Sequence, residues 1–549
     1  MNCKRLRNSL LALLALLVIA LPSAAAEKSF HILMINDPHS YILPYYEAAE
    51  AGLPEGAVEV EAVGGLSRAL RLVADEKKNI EAVSEAPIFL FEGGDIMLGK
   101  KGGLQDGAAE YGSLAALGFD AGVLGNHDFD SGTAVLERLG ATLKFTVLAS
   151  NIDFHGAAAE YYPKTAIIEK DGVKIGLFGL VTPDLKALIS DPSGFDMDKD
   201  IFRRAEECVR ELRARGAEAI VALNHIGLDL DRQLAASVPG INVIVGGHSH
   251  DAVREPLFVE NPSGTRTLIG QAGLDGRFAG RFDVTVDDGA LVTEKSSWKL
   301  METRPNTEEE EVSRALGVEA QKKLAASLNI SDPAAYFTLS VDGRKETMRS
   351  GENALGSIAA EALRRAAFAR IGLINSGGLR IGRIIPPGSF SAGDMFDLMP
   401  FDNAPVRLLM SGAEIRKLLE GSASALRGVN DDFNPMRRMS SGEFLQVAGL
   451  RFEIDLNEPA AEVVNRRVIV PGSRVKNIAV DSARGWEPLA DDKIYSVATL
   501  DYTAKYWDVI SSSPLGKQTL ALLDEYFAQA LNRRVEPNED GRIKIIGRP

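Results

Sequence analysis

Residues 30–39 read FHILMINDPH, and the way this stretch ends decides the fold. The run from Phe30 to Ile35 is short and apolar at every position but His31, which predicts a strand buried on both faces rather than an amphipathic helix. Asp37-Pro38-His39 then breaks it with polar, chemically capable residues. The same form recurs downstream. IFLFEGG ends in Asp95, AGVLG ends in Asn126-His127-Asp128-Phe129-Asp130, AIVALN ends in His225, and INVIVGG ends in His248-Ser249-His250. Further runs, FTVLAS and KIGLFGLV, lie between them, separated by helix-length amphipathic segments. This predicts an α/β domain with a largely parallel or mixed sheet from Ser29 to about Asp288.

In open α/β sheets, ligands sit beyond the carboxyl ends of the strands. The chain has seven histidines, and His39, His127, His225, His248 and His250 all fall on such ends, leaving His31 and His155 to ordinary structural duty. Histidines interleaved with Asp and Asn predict a metal centre. Imidazole, carboxylate and amide donors together suit Zn²⁺, Mn²⁺ or Fe better than Ca²⁺ or Mg²⁺. Asp37, His39, Asp95, Asn126, His225, His248 and His250 are too many donors for one four-coordinate ion, but they suit two divalent ions sharing Asp95. Gly93-Gly94, Gly125 and Gly246-Gly247 permit the tight turns that let these ends converge.

With 61 Lys+Arg against 76 Asp+Glu, the chain is acidic and offers no basic footprint for nucleic acid. Its length predicts more than one domain. Lys4, Arg5 and Arg7, the apolar run Leu10 to Leu21 and Ala24-Ala25-Ala26 have the order of a secretory signal, residues 1–26. The apolar run is shorter than the roughly 20 residues that span a bilayer, so no stable membrane insertion is expected once the signal is cleaved. Cleavage leaves Cys208 alone, so no internal disulfide is available. Gly94 to Lys101 approximates a phosphate-binding loop, but Lys101 replaces the hydroxyl residue and Asp95 sits inside the cradle, which argues against it.

The catalytic domain is taken as residues 27–305. Residues 306–333 read as a linking helix, with Thr307 and Glu310 at capping-box spacing and the Glu308 to Glu311 run as a solvated face. A second α/β domain follows over residues 334–549, with a helix near Glu352 to Arg370 and strands at GLIN, LRFEIDL and KIYSVATL.

The ordered set DPH, GGD, GNHDFD, NH and GGHSH resembles the calcineurin-like metallophosphoesterases, and within them the bacterial periplasmic 5'-nucleotidase and UDP-sugar hydrolase family. The second domain is similar to that family's C-terminal domain at Asn375 to Arg380, Pro400-Phe401 and Gly442 to Val447. The resemblance implies an N-terminal four-layer β-sandwich flanked by helices, joined by a helix to an α/β substrate-binding domain. It implies one ion, Zn²⁺ or Mn²⁺, on Asp37, His39, His250 and shared Asp95, and a second on Asp95, Asn126, His225 and His248. His127 matches the catalytic histidine, oriented by Asp130, while Asp128 reads as a turn or cap residue. Arg349, Asn375 and Arg380 would contact the anionic or sugar part of the substrate, Phe401 and Tyr502 would sandwich a nucleobase, and Asp508 matches a further carboxylate.

The implied function is that of a secreted periplasmic hydrolase removing phosphate from nucleoside 5'-monophosphates, with nucleotide sugars and 2',3'-cyclic nucleotides as further candidates. A dimanganese thiosulfohydrolase of the same fold and an inactive nucleotide-binding protein are the alternatives. One departure stands out. Where the family has Asn-Gly-Gly-Asp-Gly, this chain reads Lys505-Tyr506-Trp507-Asp508-Val509, which lacks the glycines needed for the same backbone path.

Overall fold

The computed structural model describes residues 27–48, 60–98, 106–189, 191–401, 403–428 and 437–547; the signal-like segment 1–26 and the end of the Gly94 to Lys101 loop lie outside the described residues. The first domain is built on two sheets. In one, Lys28–Ile35 is central, parallel to Ile88–Glu92 and antiparallel to Phe278–Asp287; Ala121–Val123 and Thr146–Leu148 extend it in parallel. In the other, Val173–Val181, Ala219–His225, Val243–Val245 and Arg266–Gly270 run parallel, with antiparallel strands at both edges.

The sheets pack face to face through Phe30, Ile32, Phe89 and Phe91 of the first and Leu177, Val221, Leu223 and Val245 of the second, all fully buried. Their outer faces are covered by helices: Leu66–Glu81, Ala108–Leu117 and Thr133–Gly140 on one side, Ile201–Ala214 and Leu228–Ser237 on the other. A strand apolar on both faces is what a four-layer arrangement requires, because one side faces the partner sheet and the other the helices. The predicted mixed sheet is therefore two sheets, each with a parallel centre. His31 and His155 take ordinary partners, Asp283 with Ser84 and Asp196 respectively.

The linking helix spans Glu311–Leu328 and starts later than the Thr307 capping box predicts. Thr307 Oγ1 instead accepts from the Arg304 backbone N–H, and the Glu310 carboxylate itself caps the helix by accepting from the N–H groups of Val312 and Ser313. A carboxylate at this end is favoured by unpaired N–H groups and by the helix dipole. The Glu run is also less purely solvated than predicted, since Glu309 accepts from Ser67 Oγ at 2.9 Å. Gly317 lies against Ile42 and Leu43, where a Cβ would come within 2.7 Å of the Ile42 side chain, so the helix is packed onto the first domain.

The second domain carries a five-stranded sheet, in which Ile371–Asn375 lies between Leu445–Ala448 and Ile494–Leu500, and a four-stranded sheet around Leu450–Asp455 and Val475–Ser482. Its helix Ala354–Ala366 is shorter than predicted because Asn353 caps it from outside, accepting from the N–H groups of Leu355 and Gly356. The domains meet where Arg383, buried and paired with Asp394 and Asp397, places its guanidinium 4.9 Å over the Tyr45 ring.

Candidate metal centre and the adjoining cleft

The ends of Lys28–Ile35, Ile88–Glu92 and Ala121–Val123 in one sheet, and of Ala219–His225 and Val243–Val245 in the other, open onto the same rim. Asp37, His39, Asp95, His248 and His250 all adopt left-handed backbone, with φ of 50°, 49°, 52°, 81° and 65°. Such conformations are costly for residues with a Cβ and persist where the surroundings impose them, most often at functional sites. The glycines make room: a Cβ on Gly125 would lie 2.2 Å from Asp95 Oδ1, and one on Gly94 2.6 Å from His225 Nδ1.

Three overlapping donor groups result among the described residues, Asp37 with His39 and His250, Asp95 with His225 and His248, and His39 with Asp95 and His127, each able to converge on one cation. Asp37 Oδ1 lies 3.6 Å from His39 Nε2 and 3.5 Å from His250 Nε2. Asp95 Oδ2 stands between the groups, 3.4 Å from His39 Nε2 and 3.1 Å from His225 Nε2. Its other oxygen accepts the His127 backbone N–H at 2.8 Å. Asn126 Oδ1 and His225 Nε2 are buried with no hydrogen-bond partner, an unfavourable state for protein atoms alone and the one a bound cation relieves. The donor set therefore fits divalent metal ions.

The supporting contacts fix which ring nitrogen faces the cluster. His225 Nδ1 donates to the Gly93 carbonyl at 2.8 Å and His39 Nδ1 lies 3.2 Å from Asp275 Oδ1, so both Nε2 atoms point inward. Asn36 steadies Asp37, donating to Oδ2 at 2.7 Å. Asp128, predicted as a turn residue, accepts from the N–H groups of Met97 and Gly125 at 3.0 and 2.7 Å and so ties two ligand-bearing loops together.

Burial would push the His39 and His225 imidazoles down. For His39 the hydrogen bonds to Asp275 and Asp95, and for His225 the charges of Asp95 and Asp37, outweigh it and hold both up at about 10. His248, lowered to about 4 by burial and by the His225 charge, is neutral. Asp95 is held well below the usual carboxylate range, the His225 and His127 charges overcoming its burial.

His127 shares a third possible donor group with His39 and Asp95, but its Nδ1 is taken by Asp130, with Oδ2 at 2.7 Å. Its ring borders a cleft of about 540 Å³ between the domains. Arg349, Asn375, Arg380, Phe401 and Tyr502 line the opposite wall. Phe401 comes within 6.4 Å of the His127 ring, and the Arg380 guanidinium lies 5.4 Å over Phe401. Arg349 Nε, Arg380 Nε and Asn375 Oδ1 are buried without partners, so this wall too is incomplete without a ligand.

Asp508 does not reach the cleft. Trp507 and Val509, partly buried, pack against the core of the second domain, and the intervening Asp508 faces outward to Lys417 at 3.1 Å and Arg467 at 3.2 Å. Sequence reasoning missed Asp275, Arg466, Glu443 and Lys505. Asp275 lies 236 residues from His39 in a loop without a distinctive pattern, and Arg466 and Glu443 come from separate segments. Lys505 was visible within the altered loop.

Among the described residues, no helix is long and apolar enough to cross a membrane. Residues 30–252 match the calcineurin-like phosphoesterase family, and residues 333–512 match the 5'-nucleotidase C-terminal domain. The chain is 28% identical over 502 residues to the trifunctional nucleotide phosphoesterase protein YfkN of Bacillus subtilis (strain 168), a match covering 83% of this chain and 32% of that protein. It thus spans about a third of that relative's length. It is 25% identical over 577 residues to the 5'-nucleotidase of Diplobatis ommata, covering 97% and 93% of the two chains. The crystal structure of a 5'-nucleotidase precursor from Thermus thermophilus superposes with a TM-score of 0.74 at 26% identity, covering 95% of this chain and all of that one.

Proposed function

Because the chain belongs to the calcineurin-like phosphoesterases that carry a 5'-nucleotidase C-terminal domain, and is therefore a phosphoric ester hydrolase, we propose that it removes the phosphate from nucleoside 5'-monophosphates. The observation that carries the reading is the cleft itself: one wall holds His127 beside the donor cluster, and the other holds Arg349 and Arg380, each with a buried Nε that has no partner, together with Phe401 and Tyr502. Such guanidiniums suit an anionic ester, and aromatic faces suit a base. The same rings favour a nucleobase over carrier-bound sulfur.

Asp37, His39, His250 and Asp95 would hold one divalent ion, and Asp95, Asn126, His225 and His248 a second, with Zn²⁺ and Mn²⁺ the best fits to these donors. When bound, such ions supply Lewis-acid polarisation of the phosphoryl oxygens and activation of the attacking water. The chain's own groups do the rest. Arg349 and Arg380 hold the substrate's anionic or sugar portion, and Phe401 and Tyr502 stack on the base, fixing the ester's orientation. As water oxygen bonds to phosphorus and the bond to the 5' oxygen breaks, His127 Nε2 gives its proton to that leaving oxygen. Asp130, hydrogen-bonded at Nδ1, keeps the ring oriented and stabilises its charged form. The secretory pattern of residues 1–26 supports a periplasmic location.

The test is phosphate release from AMP, UMP, UDP-glucose and a 2',3'-cyclic nucleotide by metal-loaded protein. Release that depends on added metal and collapses in His127→Ala is expected; release indifferent to both overturns the reading.

A further inference from the structure

We propose that Lys505, with Arg466, forms a second anion-binding subsite on the Tyr502 side of the cleft, so that the preferred substrate carries an anionic group remote from the scissile phosphoryl. The inference rests on the nucleotide reading above and adds a substrate class to it.

Four cations, Arg349, Arg380, Arg466 and Lys505, line one cleft. The carboxylates on its wall are already engaged. Asp130 is bonded to His127, Glu443 lies 3.3 Å from Arg466 Nε, and Asp501 accepts from the backbone N–H groups of Ala404 and Tyr502. The Lys505 backbone N–H donates to the Asp501 carbonyl, but its side chain has neither a hydrogen bond nor an ion pair among the described residues. Its ammonium is held over two rings, 4.9 Å from the centre of Tyr502 and 5.0 Å from that of Tyr506. Ring faces attract a cation but accept none of its N–H bonds in the way a carboxylate or phosphate does, so three donors remain available to a ligand.

The position is built rather than incidental. Trp507 and Val509, packed partly buried against the core, hold the loop that follows Lys505. On the other side, Arg466 donates to the Tyr502 hydroxyl at 2.7 Å and lies 4.6 Å over Tyr506, holding the two rings that carry the ammonium. One phosphoryl group directed to the metal donors and the nearby Arg349 and Arg380 would leave Arg466 and Lys505, two cations, sharing the single carboxylate of Glu443. A second anionic group, whether a phosphate on the sugar or a carboxylate on the base, supplies the missing partner.

Two substrate pairs distinguish these sources: AMP against adenosine 3',5'-bisphosphate, and UMP against orotidine 5'-monophosphate. With metal-loaded full-length protein at low salt, kcat/KM for the anionic member of at least one pair is expected to exceed its plain counterpart by about two- to fivefold, as one exposed charge pair can provide. The ratio should shrink as salt is raised, fall towards one in Lys505→Met and persist in Lys505→Arg. Because both substrates are measured on the same protein, a variant's overall loss of activity does not disturb the ratio. Where a variant does not turn over, dissociation constants from calorimetry supply the same ratio. Hydrolysis of AMP and UMP with ratios near one in the wild type, or a preference unchanged in Lys505→Met, overturns the subsite alone. No hydrolysis of any of the four overturns the nucleotide reading and the subsite with it.

Discussion

Asp275 Oδ1 lies 3.2 Å from His39 Nδ1 across 236 residues of sequence, and the Asp275 backbone N–H donates to the Asp37 carbonyl at 2.8 Å. One residue thus orients one imidazole donor and steadies the loop that carries a carboxylate donor. Partners of this kind are worth about 10- to 100-fold in metal affinity. Asp275→Asn, which removes the charge but keeps the shape, is expected to weaken divalent metal binding by at least about tenfold, as measured by competition with a chelator. Unchanged affinity would mean that His39 holds its orientation unaided.

His127→Ala is expected to lower kcat by about 10²- to 10⁴-fold, the usual contribution of a positioned acid–base group. Asp130→Asn should lower it less, with KM nearly unchanged, because it loosens and discharges the partner of Nδ1 without touching the substrate wall. A steady-state comparison of the two variants decides this. A purely raised KM in either would place the pair in binding instead.

Proton binding at the donor cluster gives a pH dependence with a definite sign. In the metal-free chain His39 and His225 hold their protons up to about 10, whereas an unfolded histidine releases them near 6.5. Their contribution to folding is complete below about 6.5 and is lost as pH rises towards 10. Chelated protein should therefore melt at a lower temperature at pH 9.5 than at pH 7. Cations compete with the same protons, so apparent metal affinity should rise across this window, by up to about tenfold per pH unit for each proton displaced. Melting curves with and without chelator, together with metal titrations at several pH values, test both. A chelated protein whose Tm rises over the window would contradict the cluster's protonation.

The outward turn of Asp508 separates two variants that the sequence treats alike. Asp508→Ala should change kcat/KM by less than about twofold, since it breaks only surface pairs to Lys417 and Arg467. Tyr502→Ala removes a cleft wall and should raise KM for AMP by about five- to a hundredfold, the range of lost base stacking. A large effect of Asp508→Ala on KM would place its carboxylate in the cleft during turnover.

Arg383→Met would leave Asp394 and Asp397 without their buried cation and remove the stacking on Tyr45 across the domain boundary. Breaking a buried pair costs about 3–5 kcal/mol. Denaturant unfolding should register a loss of about 3 kcal/mol, and Tyr45→Ala, which leaves the ion pairs intact, a smaller one.

Much of the first domain was legible because its signal is local. A short, almost wholly apolar run, broken by Asp-Pro-His or Gly-Asn-His-Asp, reports both a strand buried on two faces and the end at which polar donors emerge. Asp37, His39, Asp95, Asn126, His225, His248 and His250 could be named from that alone, since in a parallel sheet all such ends face one way. The division into two sheets was not legible, because burial against a partner sheet and burial under helices leave the same apolar pattern. The start of the linking helix was misjudged for a related reason: Thr307 and Glu310 have the right spacing, but tertiary packing selected Glu310 as the cap.

The sequence alone determined the candidate metal donors and the two-domain order, because residue type and strand ends are written in adjacent positions; the pairing of His127 with Asp130 came from the family resemblance. Only the tertiary structure decided which groups complete the site. Asp275 on His39, the Arg466 and Lys505 side of the cleft, and the exclusion of Asp508 all depend on contacts between segments far apart in the chain. At Asp508 the packing of two neighbouring, partly buried apolar side chains against the core overrode what the motif position implied, because the carboxylate between Trp507 and Val509 faces the side they do not.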